Sequence, residues 1–387
     1  MKSNFLVLDV GTTGVKGFVF DRKLKLLGKS YHRLNKRFPK KGWVEQSPQD
    51  LINKSVLALR GAVKKSKVSP TSLISLGITN QRETTILWDK RTAKPIYPAI
   101  VWEDTRTTAR TKTLGRKYQS IVREKTGLPI DPYFSATKIA WILENVPRAK
   151  TLAEKNHILF GTVDTWVLWN LSREKNYLTD YTNASRTLIF NIKKLVWDQG
   201  LLDIFKIPKD ILPGVRPSGS LFGHLKSNVI GVSLPIRAIC GDQQASMYAA
   251  GTKPRTTKIT YGTGTFMMQI IGSKFIQHKP FFTTLTATTS KPMYALEGKI
   301  DCCGNKVDEL LKKKLSLVPI LSILSKQVAA KITKLPYRPK ELIVDGGLTQ
   351  APALPSIQSE AAGIPVIKQS IYDGTGLGIA KLLKSLN

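Results

Sequence analysis

The amino-acid sequence predicts an α/β protein of two domains, and three observations carry that prediction. The chain has 387 residues, more than one ordinary hydrophobic core accommodates. The opening stretch reads strand, strand, strand, helix, strand, and a similar order returns in the last third. Each half also opens with a hairpin that has a Gly/Thr turn inside it: Asp9-Val10-Gly11-Thr12-Thr13 in the first, Tyr261-Gly262-Thr263-Gly264-Thr265 in the second.

The first meander is Asn4–Val10, Val15–Phe20 and Leu24–His32, apolar runs separated by Gly and short polar pairs. A helix then opens at Ser47-Pro48-Gln49-Asp50. Ser47 is a good N-cap, Pro48 fits the first helical position, and Asp50 stands where a capping box takes an acid. Leu73–Thr79 is a buried strand. In the second half, Lys258–Tyr261, Phe266–Ile271 and pieces up to Ala295–Glu297 form another meander. Val307–Lys314 and Ile320–Ile332 read as helices, Leu342–Val344 as a strand, Leu354–Ala362 as a helix, Pro365–Ile367 as a strand and Gly378–Leu386 as a last helix. The domain boundary falls near Ala249–Pro254, where Gly and Pro interrupt the pattern, giving domains 1–249 and 250–387.

Composition narrows the functional classes. Hydrophobic content of 42% and charged content of 22% are those of a soluble globular chain. No apolar run is long enough to span a membrane, and Asp9 cuts short the apolar start that a signal peptide would need. Cys240, Cys302 and Cys303 have no disulfide or zinc spacing and read as free thiols of a cytoplasmic protein. His32, His157, His224 and His278 are scattered, which argues against protein-held zinc. The net charge of +33 favours anionic partners such as nucleotides and phosphates. The basic residues are spread along the chain without a tail or an aromatic–basic block. A nucleic-acid partner is therefore not expected, and a general lysine bias of the source accounts for the charge.

Four local patterns carry chemistry. A Gly/Thr hairpin turn exposes backbone N–H groups and hydroxyls that suit phosphate oxygens, and Asp9 just before it suits Mg²⁺. A lone turn of this kind is usually only a turn; two, one per half, say more. Asp242, in Gly241-Asp242-Gln243-Gln244, follows the apolar strand Leu234–Ile239 and precedes the helical Ala245–Ala250. It is placed either to cap that helix or to accept a hydroxyl proton in a cleft. Arg82 and Glu83 come just past the carboxyl end of a strand, a usual ligand position in α/β sheets; a surface ion pair is the alternative. Trp102, Tyr133 and Phe266 stand beside these polar groups, and each could equally be core. The P-loop pattern is missing, and no G-x-G-x-x-G opens a helix.

The residues also carry a resemblance. GITNQRETTILWDKRTAKPIYPAIVWEDTR (Gly77–Arg106), YFSATKIAWILEN (Tyr133–Asn145), FGTVDTWVLWNL (Phe160–Leu171) and TDYTNASRTLIFNI (Thr179–Ile192) resemble the FGGY carbohydrate kinases, and within them the glycerol kinase branch. GDQQ (Gly241–Gln244), TYGTGTFM (Thr260–Met267), YALEG (Tyr294–Gly298) and VDGG (Val344–Gly347) extend it almost to the last residue. The resemblance implies two ribonuclease-H-like domains of the actin/Hsp70/hexokinase type, closing around a nucleotide cleft. It also implies ATP-dependent phosphorylation of glycerol or a similar polyol. Asp242 would be the general base. Arg82, Glu83, Asp242 and Gln243 would bind the hydroxyls, with Trp102, Tyr133 and Phe266 as walls. Gly11, Thr12, Thr13, Lys16, Gly262, Thr263, Gly304 and Gly347 would hold ATP, and Asp9 would hold Mg²⁺ through water. A homo-oligomer is compatible with the resemblance.

The chain also departs from that family. Between Gly298 and Val344 relatives carry a longer stretch, including the second family signature, so the second domain is expected to be reduced. Lys16 stands for a usual Arg, Glu103 for a Gln, Asp308 for a Gln near the adenine and Ala351 for an Asn. The loop Gly223–Ser233 lacks the Gly/Arg-rich pattern of sugar-bisphosphate-regulated relatives, and that regulation is not expected. Three readings stand: an active glycerol kinase with a reduced second domain, a polyol-binding relative that uses ATP poorly, and a pentulose kinase. Gln81-Arg82-Glu83-Thr84 disfavours the last, because xylulokinase-like relatives carry a different motif there.

Overall fold

The computed structural model describes residues 3–261, 265–300, 316–369 and 373–387. The first sheet is built on β1 (Asn4–Val10), β2 (Gly14–Asp21), β3 (Leu26–Arg33) and β4 (Leu73–Asn80), and is completed by β5 (Gly223–His224) and β6 (Pro235–Gly241). Its order is β5-β6-β4-β1-β2-β3. β1, β2 and β3 form an antiparallel meander, and β4 and β6 add in parallel. β1 is buried along its whole length, as expected of a central strand covered on both faces. β3 starts two residues later than the sequence suggests. Leu24 takes a left-handed φ of 65° in the preceding turn, where its N–H donates to the Asp21 carbonyl, so it cannot join the strand.

Helix α1 (Pro48–Ser66) joins β3 to β4 and lies on this sheet. The Asp50 N–H donates to Ser47 Oγ at 3.2 Å, the cap read from the sequence, worth about 1 kcal/mol. Leu51, Ala58, Leu59 and Ala62 form its buried stripe.

The second sheet repeats the plan. It contains β7 (Thr257–Tyr261), β8 (Thr265–Gly272), β9 (Phe282–Leu285), β10 (Tyr294–Ile300), β11 (Leu342–Asp345) and β12 (Val366–Lys368), in the order β9-β10-β8-β7-β11-β12. β7, β8 and β10 make the meander, and β11 and β12 add in parallel. The doubled meander of the sequence is thus a doubled topology. The expected helix Val307–Lys314 lies outside the described residues.

The last helix, α2 (Gly374–Ser385), begins four residues before the sequence suggests. Its start is Gly-Thr-Gly, poor helix formers, and packing overrides propensity there. This helix returns to the first sheet, placing Ile379, Ala380, Leu382 and Leu383 among Phe5, Val7, Phe18 and Phe20. It also crosses helix α3 (Asp242–Ala250) so closely that a Cβ on Gly378 would lie 1.7 Å from the Ala245 carbonyl oxygen. Its N-terminal end is thereby held at the end of β1. Among the described residues no helix is long and apolar enough to cross a membrane.

Candidate functional site

The carboxyl ends of β1, β4 and β6 lie side by side, with Val10, Asn80 and Gly241 in register. Loops leaving parallel strands at such an edge can converge on a ligand. Here they line a cleft of about 300 Å³, bounded by Thr12, Thr13, Lys16, Arg82, Glu83, Trp102, Tyr133, Asp242, Gln243 and Phe266. Ten residues singled out in the sequence therefore meet in one place. Lys36, Glu103 and Thr260 complete the lining, with Lys36 and Glu103 paired at 2.8 Å.

The first turn is fixed from three sides. The Gly11 N–H donates to the Gly14 carbonyl at 3.0 Å and closes the hairpin. Gln46 Nε2 donates to the Thr12 carbonyl at 2.7 Å, and Trp102 Nε1 to Thr12 Oγ1 at 2.9 Å. Tyr31 and Leu34 donate to the Thr13 carbonyl. With these carbonyls engaged, the turn meets a ligand as a preformed, rigid element. Of the second turn, Gly262 and Thr263 lie outside the described residues, as does Gly304. Gly347 opens a short helical turn after β11 and is exposed.

Asp9 is the penultimate residue of β1 and is only 5% exposed. Burial raises its pKa, against the opposing pull of Lys16 and the Thr375 hydroxyl. A nearby second acid, Asp373, is engaged by Lys16 at 2.8 Å and by Lys29. Asp9, itself 3.9 Å from Lys16 Nζ, stands just before the turn, and one or two carboxylates are the protein ligation usual for a hydrated Mg²⁺ that arrives on phosphates. Among the described residues no group of three or more His, Cys, Asp or Glu side chains could hold a metal by itself.

Asp242 is the first residue of α3, whose cap is Gly241. Its side chain remains 28% exposed to the cleft, 3.4 Å from Arg82 Nε. The surrounding protein pushes its pKa up to about 7; Arg82 opposes the rise, and Glu83 and Asp9 add to it. A carboxylate poised near neutral pH at a cleft is suited to proton transfer.

Arg82 and Glu83 are not a surface pair. They are 3% and 1% exposed. Glu83 has a left-handed φ of 62°, a strained state for a non-glycine residue that costs of order 1–3 kcal/mol. Ser135 Oγ and Thr85 Oγ1 both donate to its carbonyl and help hold it there. Trp102 meets Tyr133 edge-on at 5.4 Å between ring centres. The aromatic residues are walls of the cleft as well as packing.

Three buried charges of the site carry no role in the sequence reading. Arg186 donates from Nε to Glu83 Oε1 at 2.5 Å. Glu297, on β10, accepts a two-pronged interaction from Arg82 at 2.8 and 2.9 Å. Lys138 donates to the Tyr133 carbonyl at 2.7 Å, and burial lowers its pKa to about 8. Each lies in a quoted motif, SATK, NASRT or YALEG. A charge inside an otherwise apolar or uncharged run was the available signal.

Residues 4–249 match the FGGY family of carbohydrate kinases, N-terminal domain. The chain is 43% identical over 304 residues to glycerol kinase 2 of Sulfolobus acidocaldarius, covering 78% of this chain and 61% of that one. It is 41% identical over 322 residues to the glycerol kinase of Caldanaerobacter subterraneus, covering 82% and 65%. The chain thus spans less than two thirds of the length of either relative. The crystal structure of Plasmodium falciparum glycerol kinase with ADP superposes with a TM-score of 0.92 at 28% identity, covering 99% of this chain and 89% of that one. A xylulose kinase from Rhodospirillum rubrum, at 15% identity and a TM-score of 0.86, shares the fold.

Proposed function

We propose that this chain, which belongs to the FGGY family of carbohydrate kinases, transfers the γ-phosphoryl group of ATP to a hydroxyl of glycerol. The observation that carries the reading is the convergence, in one cleft, of a Gly/Thr phosphate turn, an acid poised near neutrality and a buried Arg–Glu pair between aromatic walls. The names of the relatives support glycerol as the acceptor.

In this reading Arg82, Glu83 and Gln243 bind the polyol hydroxyls, and Trp102, Tyr133 and Phe266 cover its carbon edge. A site made of buried polar groups rejects analogues that leave them unpaired. Asp242 takes the proton of the attacking hydroxyl as the new O–P bond forms, and the β–γ bridging oxygen leaves with ADP. Thr12, Thr13 and Lys16, with Gly11, Gly262 and Thr263, hold the phosphates, while Gly304 and Gly347 lie against the nucleotide. Asp9 would hold Mg²⁺, which when bound neutralises phosphate charge. Phosphoryl transfer needs such positioning and neutralisation more than covalent help. The two domains, 1–249 and 250–387, would close on the nucleotide and exclude water as a competing acceptor.

The test is ADP release by the purified protein with MgATP, with and without glycerol, beside Asp242→Ala. Glycerol-dependent turnover that is lost in the variant supports the kinase. No turnover, with glycerol still raising the melting temperature, would replace it with a polyol-binding relative.

A further inference from the structure

We infer that Glu297 and Arg186 are positioning residues: they hold Arg82 and Glu83 in their ligand-facing pose, so the polyol site is completed by a strand of the second sheet. The inference rests on the polyol reading above for its ligand but on the geometry below for its substance.

Four charged side chains form a closed buried ring. Arg82 Nη1 and Nη2 donate to Glu297 Oε2 and Oε1 at 2.8 and 2.9 Å. Arg186 Nη2 donates to Glu297 Oε1 at 3.2 Å, and Arg186 Nε to Glu83 Oε1 at 2.5 Å. Arg82 Nε closes the ring 3.8 Å from Glu83 Oε1. All four side chains are at most 2% exposed. Two positive and two negative charges cancel, the condition under which such groups can be buried at all.

Glu297 belongs to the middle of β10, paired with Met268 of β8 and Phe282 of β9. Arg82, Glu83 and Arg186 belong to loops of the first half of the chain. The ring therefore ties the two sheets together at the cleft. A buried ion pair is weak evidence for net stability, because desolvation offsets the attraction. Geometry is what a two-pronged Arg–carboxylate pair fixes well. Glu297 occupies the outer edge of the Arg82 guanidinium. That leaves the Nε edge turned toward Asp242 at 3.4 Å. Gln244 Oε1, accepting from Arg82 Nη1 at 3.2 Å, supports the same pose. On the far side, Arg186 packs its guanidinium against Tyr133 and Phe134, at 5.6 and 5.1 Å from the ring centres. It thus couples the Glu83 carboxylate to the aromatic wall.

The experiment uses the full chain with Glu297→Gln, which keeps shape and removes charge, and Arg186→Lys, which keeps charge and removes the fork. Glycerol affinity by calorimetry, KM and kcat for glycerol and MgATP, and a crystal structure of Glu297→Gln are measured. We expect glycerol binding weakened by about tenfold or more. We expect kcat/KM for glycerol to fall by about 10²-fold, while KM for MgATP stays within about twofold. The crystal structure should show Arg82 turned away from its place beside Asp242. If Glu297→Gln does not fold, Arg186→Lys carries the same expectations. A folded variant with unchanged glycerol affinity and an unmoved Arg82 would overturn the proposal. If the unaltered chain does not bind glycerol but Arg82 still moves in Glu297→Gln, the polyol reading fails and the positioning role stands.

Discussion

Thr375 donates its hydroxyl proton to Asp9 Oδ2 at 2.8 Å, across 366 positions of sequence. The contact exists because α2 leaves the second sheet and docks on the first, bringing its opening turn to the end of β1. It fastens the carboxylate proposed to face the metal and phosphates. Replacing Thr375 by Val keeps the shape and removes the donor. A hydrogen bond to a charged group is worth about 1.5–3 kcal/mol, so KM for MgATP should rise about tenfold or more. Glycerol affinity should not move. Steady-state kinetics with each substrate varied in turn checks this; a change confined to glycerol would remove Asp9 from the nucleotide side.

The same docking predicts a steric result. An alanine at Gly378 would place Cβ 1.7 Å from the Ala245 carbonyl oxygen, and backbone cannot yield as a flexible side chain can. Gly378→Ala should destabilise by about 3 kcal/mol or more. Gly115, inside the helix Thr108–Thr126 with nothing within 4 Å of its would-be Cβ, is the control. Gly115→Ala should be neutral or stabilising by up to about 1 kcal/mol. Thermal unfolding of the two variants reads both, and equal melting temperatures would contradict the close crossing.

What the sequence made legible were features written locally. β1, β2 and β4 are apolar runs with punctuation at their ends, and the Ser47 cap is spelled out in four residues. Arg82 and Asp242 could be found because each follows a strand, and strand ends in α/β sheets face ligands. Glu297 was hidden for the converse reason. It sits mid-strand between buried neighbours, and its meaning comes from Arg82, 215 positions away, and Arg186, 111 away. Whether Arg82 and Glu83 form a surface pair or a buried one likewise depends on that distant partner. The early start of α2 was hidden because Gly374 and Gly376 lower its helix propensity; a Cβ on Gly374 would lie 2.2 Å from Asp345 Oδ2 and one on Gly376 would lie 2.9 Å from the Phe18 ring, close contacts that favour Gly there.

The ring of charges should show in acid. Burial by itself would raise the Glu297 carboxyl, but Arg186 and Arg82 outweigh it and hold the group at about 2, below its usual 4.5. A carboxyl lowered in the folded state adds stability above its unfolded value, and loses that stability as pH falls toward its folded value. The unaltered protein should therefore weaken between about pH 4.5 and about pH 2 more steeply than Glu297→Gln. The difference in slope is at most about 1.4 kcal/mol per pH unit for one proton. Denaturant unfolding of both proteins across that range measures it, and parallel curves would show that Glu297 is not held ionised by the two arginines.

Asp242 gives the opposite sign and a functional readout. Burial first, then the neighbouring charges of Glu83 and Asp9, raise its carboxyl to about 7, although Arg82 pulls it down. Only the ionised form can accept the hydroxyl proton. Glycerol kcat/KM should therefore fall about tenfold per pH unit below about pH 7 and level off above it. Asp242→Asn keeps the shape but cannot take the proton, and its kcat should fall by about 10²–10⁴-fold with the acidic limb abolished. A flat profile in the unaltered protein, with Asp242→Asn still inactive, would assign Asp242 to holding the polyol. The proton would then leave to solvent or to phosphate, as a loose phosphoryl-transfer transition state permits, since little negative charge need be drawn from the nucleophile before the new bond forms.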